Sequence, residues 1–413
     1  MKKQTSFYPW FVVGALWIIA FLNYLDRILI TSMRDPIVSE FSLTDAQFGL
    51  LTSTFLWSYG ILSPFGGYLA DKFSRTKVII FSVFIWSVVT LWTGYTHSFT
   101  EMMITRILMG ISEACYIPAA LALITDYHKG KTRSLATGLH MSGLYTGLAI
   151  GGIGGYIAEL WGWRYGFHIF GIFGILYAGV LLFTLRDYKH GQAASETTST
   201  PVATSPTELN FLQSFKQIFA NHSFYILLIY FSVLGMVNWL VYGWLPTFFK
   251  EHFHLSLGEA GIAATSYIQI GSFIGVIIGG ILADRWAKRN AKGRLYVLIL
   301  GFTLGAPFLF LMASVQAFTL AIIAMLIFGL ARGFNDANLM PVLRQLVDNR
   351  YIATGYGMLN FLSTIIGGLM VYIGGALQDA KIGLALIYQV AAILMLLATW
   401  LLFAIKIKEN KAE

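Results

Sequence analysis

Apolar runs long enough to cross a bilayer as helices alternate with short polar stretches along this chain. About 20 apolar residues span a hydrocarbon core of about 30 Å. On that rule the spans fall at 8–32, 47–70, 77–95, 99–125, 132–158, 164–186, 223–249, 257–283, 295–314, 317–343, 351–376 and 382–406. Met1-Lys2-Lys3 opens like a signal peptide, but the run after it continues to about Ile30 without a small-residue cleavage site. It reads as a retained first helix. The one long polar stretch, 187–209, holds Thr197-Thr198-Ser199-Thr200-Pro201 and Ser205-Pro206-Thr207, and predicts a flexible linker. Phe211, Leu212, Phe215, Ile218 and Phe219 then recur at helical spacing, as in an amphipathic helix lying on the membrane surface. The expected organisation is a six-helix bundle over 1–186, a linker with that helix over 187–221, and a second six-helix bundle over 222–413.

Composition agrees. Of the 413 residues, 57% are hydrophobic and 12% charged, where soluble domains carry roughly 25% charged residues. Most of the chain therefore faces no water. The single cysteine, Cys115, excludes an intrachain disulfide and sits inside an apolar run. The net charge of +8 does not mark a nucleic-acid binder, because the basic residues lie in short loops and form no basic domain.

Those loops orient the chain. With twelve spans, 21 Lys and Arg fall on the side of the chain ends, and only Arg34, Arg164, Lys250 and Lys381 on the other. By the positive-inside rule both termini are expected in the cytoplasm, and the membrane to be a bacterial inner membrane.

The halves repeat. Gly66-Gly67-Tyr68-Leu69-Ala70-Asp71 matches Gly279-Gly280-Ile281-Leu282-Ala283-Asp284, and Arg133-x-x-Ala136-Thr137-Gly138 matches Arg350-x-x-Ala353-Thr354-Gly355. A duplicated six-helix unit is a mark of transporter folds, whose sites lie between the halves near mid-membrane. The predicted class is an all-α membrane protein with twelve transmembrane helices in two pseudo-symmetric six-helix bundles.

Gly67-x-x-x-Asp71-x-x-x-Arg75, with its partial echo at Asp284 and Lys288, is a charged cluster at a helix end. It reads as a gate latch or as a basic turn obeying the charge rule. The segment resembles the signature loop of the major facilitator superfamily. Gly143, Gly147, Gly151, Gly152, Gly154 and Gly155 resemble that superfamily's glycine-rich fifth helix.

Charges inside spans are the strongest chemical signal. They are Asp26, Arg27, Arg106, Glu113, Arg332 and Asp336. Each costs roughly 2.5–3.5 kcal/mol or more at a helix centre, so each is expected to pair or to line a wet cavity. Arg106 and Glu113 share one face two turns apart. Arg332 and Asp336 lie four apart and can neutralise each other.

Asn23-Tyr24-Leu25-Asp26-Arg27, Arg106, Gly110-Ile111-Ser112-Glu113-Ala114, Gly162-Trp163-Arg164 and Phe167 resemble the anion:cation symporter family, which carries sugar acids and other organic anions with protons. The resemblance implies that Asp26 and Glu113 take protons, that Arg27 binds a substrate carboxylate, and that Arg106 couples them. Ser63 stands where that family often has glutamine. Ser58 to Leu69, Ala283-Asp284-Arg285-Trp286 and Gly305-Ala306-Pro307 also resemble the spinster family of lysolipid and sphingolipid exporters, the alternative reading.

Tyr59, His140, Asn238, Tyr242, Gln269, Arg332 and Asn360 are polar interruptions of apolar spans and candidates for contact with solute. No metal-ligand spacing, H-E-x-x-H or G-x-S-x-G occurs inside a span, so no cofactor is expected and an intramembrane enzyme is a distant third reading. The expected function is proton-coupled symport of a small organic anion (hexuronate, aldonate or sialate-like) by a monomer in a lipid bilayer.

Overall fold

The protein, as a computed structural model, is described over residues 7–128, 132–188, 217–348 and 351–407. The described residues form twelve long helices, several of them interrupted. They are α1 (Phe7–Phe41), α2 (Asp45–Lys72), α3 (Arg75–Thr93), α4 (Phe99–Tyr127), α5 (133–161), α6 (Trp163–Thr184), α7 (His222–Phe253), α8 (Leu257–Ala287), α9 (Gly293–Ser314), α10 (Phe318–Leu346), α11 (Ile352–Asp379) and α12 (Leu384–Leu402). Ten of these are both long and apolar enough to cross a membrane. The other two, α2 and α5, have the length but more polar and glycine residues. They are the two helices that the first half sets against the second.

Helix ends follow local chemistry. Thr44 with Gln47 and Ser256 with Glu259 form reciprocal capping boxes that start α2 and α8. Three breaks sit inside spans among the described residues: α1 passes through a tight turn at Ile30–Met33, α4 is interrupted at Ala114 and Cys115 directly after Glu113, and α5 passes through a tight turn at Gly151–Ile153. His252 lies in the last turn of α7, and its Nε2 faces the Val315 carbonyl at 2.9 Å. Most of the linker and of the amphipathic segment lies outside the described residues.

Packing repeats with the sequence. α1 packs on α5, α2 on α4 and α3 on α6; α7 packs on α11, α8 on α10 and α9 on α12. The halves meet mainly through two crossed pairs, α2 with α11 and α5 with α8, and the tight turn of α1 also packs on α7 and α8. Outward side chains such as Leu182, Phe183 and Trp400 are apolar and exposed, as lipid-facing positions should be.

The two sides of the bundle differ. One carries Lys72, Arg75, Lys77, Arg285, Lys288, Arg289 and Arg294, and is called the basic face here. At the far face the halves are closed. Arg34 donates to Asp35 at 2.7 Å and to Asp45 at 2.9 Å, and Lys250 of α7 pairs with Asp35. The Asp379 carboxylate at the end of α11 accepts the N–H groups of Asp45 and Ala46, both at 2.9 Å, and so caps α2 across the interface. Further in, Ser53 Oγ donates to the Gly368 carbonyl at 2.6 Å and Trp57 Nε1 to the Ile365 carbonyl at 3.1 Å. α5 and α8 cross with Gly152 and Gly261 backbone against backbone, a packing that any Cβ would prevent.

Toward the basic face the same stripes separate. Gly49, Ser53 and Trp57 of α2 touch α11, while the next positions of that stripe, Ile61, Phe65 and Tyr68, are exposed. Ala149, Gly152 and Gly155 of α5 touch α8, while Leu135 and Leu139 are exposed. Toward that face beyond Tyr145, no hydrogen bond between described residues joins the halves. The cleft between them opens to the basic face.

Candidate functional site

Arg27 is the hub of the first half's charges. Its Nε donates to Glu113 Oε2 at 2.9 Å, and its Nη2 donates to Asn23 Oδ1, one turn back on α1, at 2.8 Å. Both members of the ion pair are buried, at 2% and 0% exposure. The guanidinium also lies over the rings of Tyr24 at 4.4 Å and Tyr59 at 4.3 Å. Successive helical residues point about 100° apart, so neighbouring Asp26 turns instead to α3, where Thr90 Oγ1 donates to it at 3.4 Å. Glu113 Oε1, Asp26 Oδ1 and Asn23 Nδ2 are buried without a hydrogen-bond partner.

Arg106 and Glu113 lie two turns apart on α4 and are not bonded to each other. Arg106 is fully buried over the Phe55 ring at 5.0 Å, with Nη1 near Met109 Sδ at 3.1 Å and both Nε and Nη2 unpartnered. Glu113 reaches across to α1 instead. Gly110 makes that reach possible. A Cβ there would sit 2.5 Å from the Phe55 carbonyl oxygen, so only glycine lets α4 come this close to α2. Arg106 remains within electrostatic range of Glu113 and Asp26.

The second half contributes a facing cluster. The Tyr242 hydroxyl accepts from Arg332 Nη1 and from Gln269 Nε2, the latter at 2.7 Å. Arg332 Nη1 also lies 3.4 Å from Gln269 Oε1. The i,i+4 pair of Arg332 with Asp336 is loose, at 3.7 Å. Asp336 is held across the interface by the Tyr145 hydroxyl of α5, at 3.1 Å.

Tyrosines join the two clusters. Tyr24 packs against the cluster of Ile28, Leu148 and Tyr242, and Tyr356 of α11 lies within electrostatic range of both Tyr59 and Asp336. Around the cleft run Arg27, Tyr24, Tyr242, Arg332, Asp336, Tyr356, Tyr59 and back to Arg27. Tyr356, at 39% exposure, lines the opening. Tyr24, Asp336 and Tyr356 belong to this ring, and Tyr145 joins it through Asp336, although the sequence did not nominate them as ligands. The spacing of Tyr356 one turn before Asn360 was the available signal; for Tyr145 there was none. Asn238 and Asn360 are half-buried, without side-chain hydrogen-bond partners among the described residues.

His140 is placed elsewhere. It is fully buried inside the first bundle, its Nε2 at 2.9 Å from the Tyr116 hydroxyl, so its expected solute contact is not what this geometry offers. The gate candidates also pair within their own halves. Arg75 meets Asp126 at the end of α4, and Asp284 meets Arg294 of α9 at 2.6 Å. Lys288 is exposed. A latch across the basic face would require these partners to exchange, which agrees with that face being open. Gly67 and Asp71 lie in α2, but their side-chain surroundings fall outside the described residues. Among the described residues no cluster of three or more His, Cys, Asp or Glu has the geometry to hold a metal.

Comparison with known proteins is consistent with this architecture. The chain is 23% identical over 393 residues to the probable galactarate/D-glucarate transporter GarP of Escherichia coli (strain K12), covering 88% of this chain and 87% of the relative. It is 27% identical over 377 residues to the probable L-galactonate transporter of the same strain, covering 88% and 82%. Protein spinster of Drosophila melanogaster is 26% identical over 383 residues, covering 90% of this chain and 62% of the relative. Among solved structures, a bacterial homolog to the human lysosomal transporter Spinster, inward-facing and unoccupied, superposes with TM-score 0.78 at 24% identity, covering 99% and 100% of the two chains. The family model of the Major Facilitator Superfamily matches residues 16–371. With twelve helices, crossed half-to-half contacts and a charged central cleft, this chain is an integral membrane transporter that belongs to the Major Facilitator Superfamily.

Proposed function

We propose that the protein is a proton-coupled symporter of a small organic anion of the sugar-acid class, working by alternating access from a bacterial cytoplasmic membrane. On this reading the basic face and both chain ends are cytoplasmic. The observation that carries the proposal is the buried Arg27–Glu113 pair. A lone arginine in this position would cost several kcal/mol, and Glu113 is its only carboxylate partner at bonding distance among the described residues. When Glu113 takes a proton, Arg27 loses that partner. A substrate carboxylate replaces it, because the planar guanidinium can hold a carboxylate through two parallel bonds. Proton and anion thus occupy the site together, and leave together when Glu113 ionises and reclaims Arg27. Asp26 and Arg106 extend the same charge group. The relatives named for galactarate, glucarate and galactonate support the cargo class.

The test is uptake of labelled galactonate and glucuronate into proteoliposomes under an imposed pH gradient. Accumulation above equilibrium that collapses with a protonophore is expected. Transport indifferent to the gradient would remove the coupling assignment. A lysolipid cargo is the second reading, favoured by the apolar lips Ile61, Phe65 and Tyr68 at the mouth of the cleft. It would advance if lysophospholipid competed for binding while sugar acids did not.

A further inference from the structure

The cleft holds a second arginine that the single-carboxylate reading leaves idle. Arg332 comes from α10, in the opposite half from Arg27, and it is 12% exposed. Tyr24 connects the two. Its ring lies 4.4 Å from the Arg27 guanidinium, it packs against the cluster of Ile28, Leu148 and Tyr242, and Arg332 is bonded to the Tyr242 hydroxyl. Arg332 is also within electrostatic range of Tyr24 itself and of Tyr145.

The two arginines are held in parallel ways. Each is fixed by bonds to neutral groups, Asn23 for Arg27, and Tyr242 with the longer contact to Gln269 for Arg332. Each has one carboxylate partner. The Arg27–Glu113 contact is tight, but Asp336 stands 3.7 Å from Arg332, and its Oδ2 is drawn by the Tyr145 hydroxyl at 3.1 Å. The Arg332 Nε is buried with no hydrogen-bond acceptor. An arginine N–H left unsatisfied in a low-dielectric cleft costs free energy that an incoming acceptor recovers. Between the two cations the walls are hydroxyl-bearing rings, Tyr24, Tyr59, Tyr145, Tyr242 and Tyr356, with no cation among the ring residues except the two arginines.

Resting on the reading of this cleft as an organic-anion site, we infer that the cargo is a dianion: a dicarboxylate with a hydroxylated chain between its ends, one carboxylate on Arg27 and the other on Arg332. Arg332 is then the residue that distinguishes dicarboxylates from monocarboxylates of the same chain. A monocarboxylate places a neutral hydroxyl or aldehyde at Arg332 and so lacks the bidentate ion pair that a second carboxylate makes there. The tyrosine hydroxyls between the two arginines meet the hydroxyls of the cargo and favour a sugar-derived diacid over a plain aliphatic one.

The experiment compares binding of galactarate, galactonate and adipate to the purified full-length protein, by calorimetry or thermal shift, for wild type and Arg332→Gln. Galactarate is expected to bind wild type about tenfold or more tighter than galactonate, from a charge-assisted bond worth roughly 1.5–3 kcal/mol, with adipate weaker than galactarate. Arg332→Gln should erase the preference by weakening galactarate at least about tenfold more than galactonate, with an unchanged size-exclusion profile and helical content showing that the variant is folded. Since Arg332→Gln strands the Asp336 charge, the pair Arg332→Gln with Asp336→Asn serves as the second variant and should behave alike. Equal or tighter binding of galactonate to wild type overturns the dianion inference and leaves the anion reading standing. So does an equal loss of both ligands in both variants. If neither sugar acid binds wild type, both readings fall together.

Discussion

Arg27 and Glu113 meet through one buried contact of 2.9 Å, made by the arginine's Nε and only one of the carboxylate's two oxygens. The pair is therefore closed enough to hold both charges out of water and open enough to be exchanged. That balance suits a site whose partner must change during each cycle, and it sets the first expectations.

Glu113→Gln keeps the shape and removes the ionisable group. It is expected to abolish accumulation against a gradient while retaining exchange of labelled for unlabelled anion. Parallel gradient-driven and counterflow assays read the two separately. Accumulation at the wild-type level would show that Glu113 does not couple.

Arg27→Lys keeps the charge and loses the fork. The guanidinium bonds Glu113 through Nε and Asn23 through Nη2 at once while stacking on two tyrosines; one ammonium cannot reproduce that set. Anion affinity is expected to fall about tenfold or more. Titration of purified protein measures it, and affinity near wild type would place the carboxylate elsewhere.

Gly152 crosses Gly261 with backbone on backbone at the closed far face. Gly152→Val should prevent that closure. Turnover is expected to drop at least about tenfold while binding from the far face persists, because the cleft itself is untouched. Spin-label distances between the ends of α5 and α8 should lengthen; unchanged distances with normal turnover would mean that the crossing tolerates a side chain.

Asp379 caps α2 across the same face. Asp379→Ala removes the acceptor for two N–H groups, a loss that typically shifts an equilibrium about two- to tenfold. The shift should favour the form open at the far face. Labels on the ends of α2 and α11 would report it, and an unshifted distance distribution would assign the closure to the glycine crossing alone.

Asp187, outside the spans, provides a control for pH work. Burial raises its pKa, but the bonds from Ser74 Oγ and the Thr76 N–H outweigh this and hold it below the ordinary carboxylate value of about 3.9. A group with a lowered folded pKa stabilises above its unfolded value and loses that contribution as the pH falls through the folded one. All of its effect therefore lies in strong acid. Asp187→Asn should leave the pH profile of transport between about pH 5 and 8 unchanged, whereas Glu113→Gln should flatten it. A profile altered by Asp187→Asn would mean that the linkage of α3 to the end of α6 contributes to coupling.

The sequence alone determined the spans, the duplication and which charges lie inside the membrane. These are properties of single helices, set by how much apolar surface each can give to lipid and by the cost of any charge left there. Predicted and observed helices agree within a few residues, except where α1, α7 and α8 run on past the apolar stretch into polar turns and where α12 ends at Leu402, short of the expected 406. Only tertiary structure decided the partners. Glu113 shares a helix face with Arg106 yet bonds Arg27, because Gly110 brings α4 against α2 and leaves α1 nearest the carboxylate. Arg332 and Asp336 looked self-sufficient at four residues apart, yet Tyr145, from another helix, draws the aspartate away. His140 interrupts an apolar span as Gln269 does, but it turned inward to Tyr116 while Gln269 turned to the cleft. Each of these choices depends on which neighbour a side chain faces once two helices pack, and helical spacing within one strand of sequence carries no record of that.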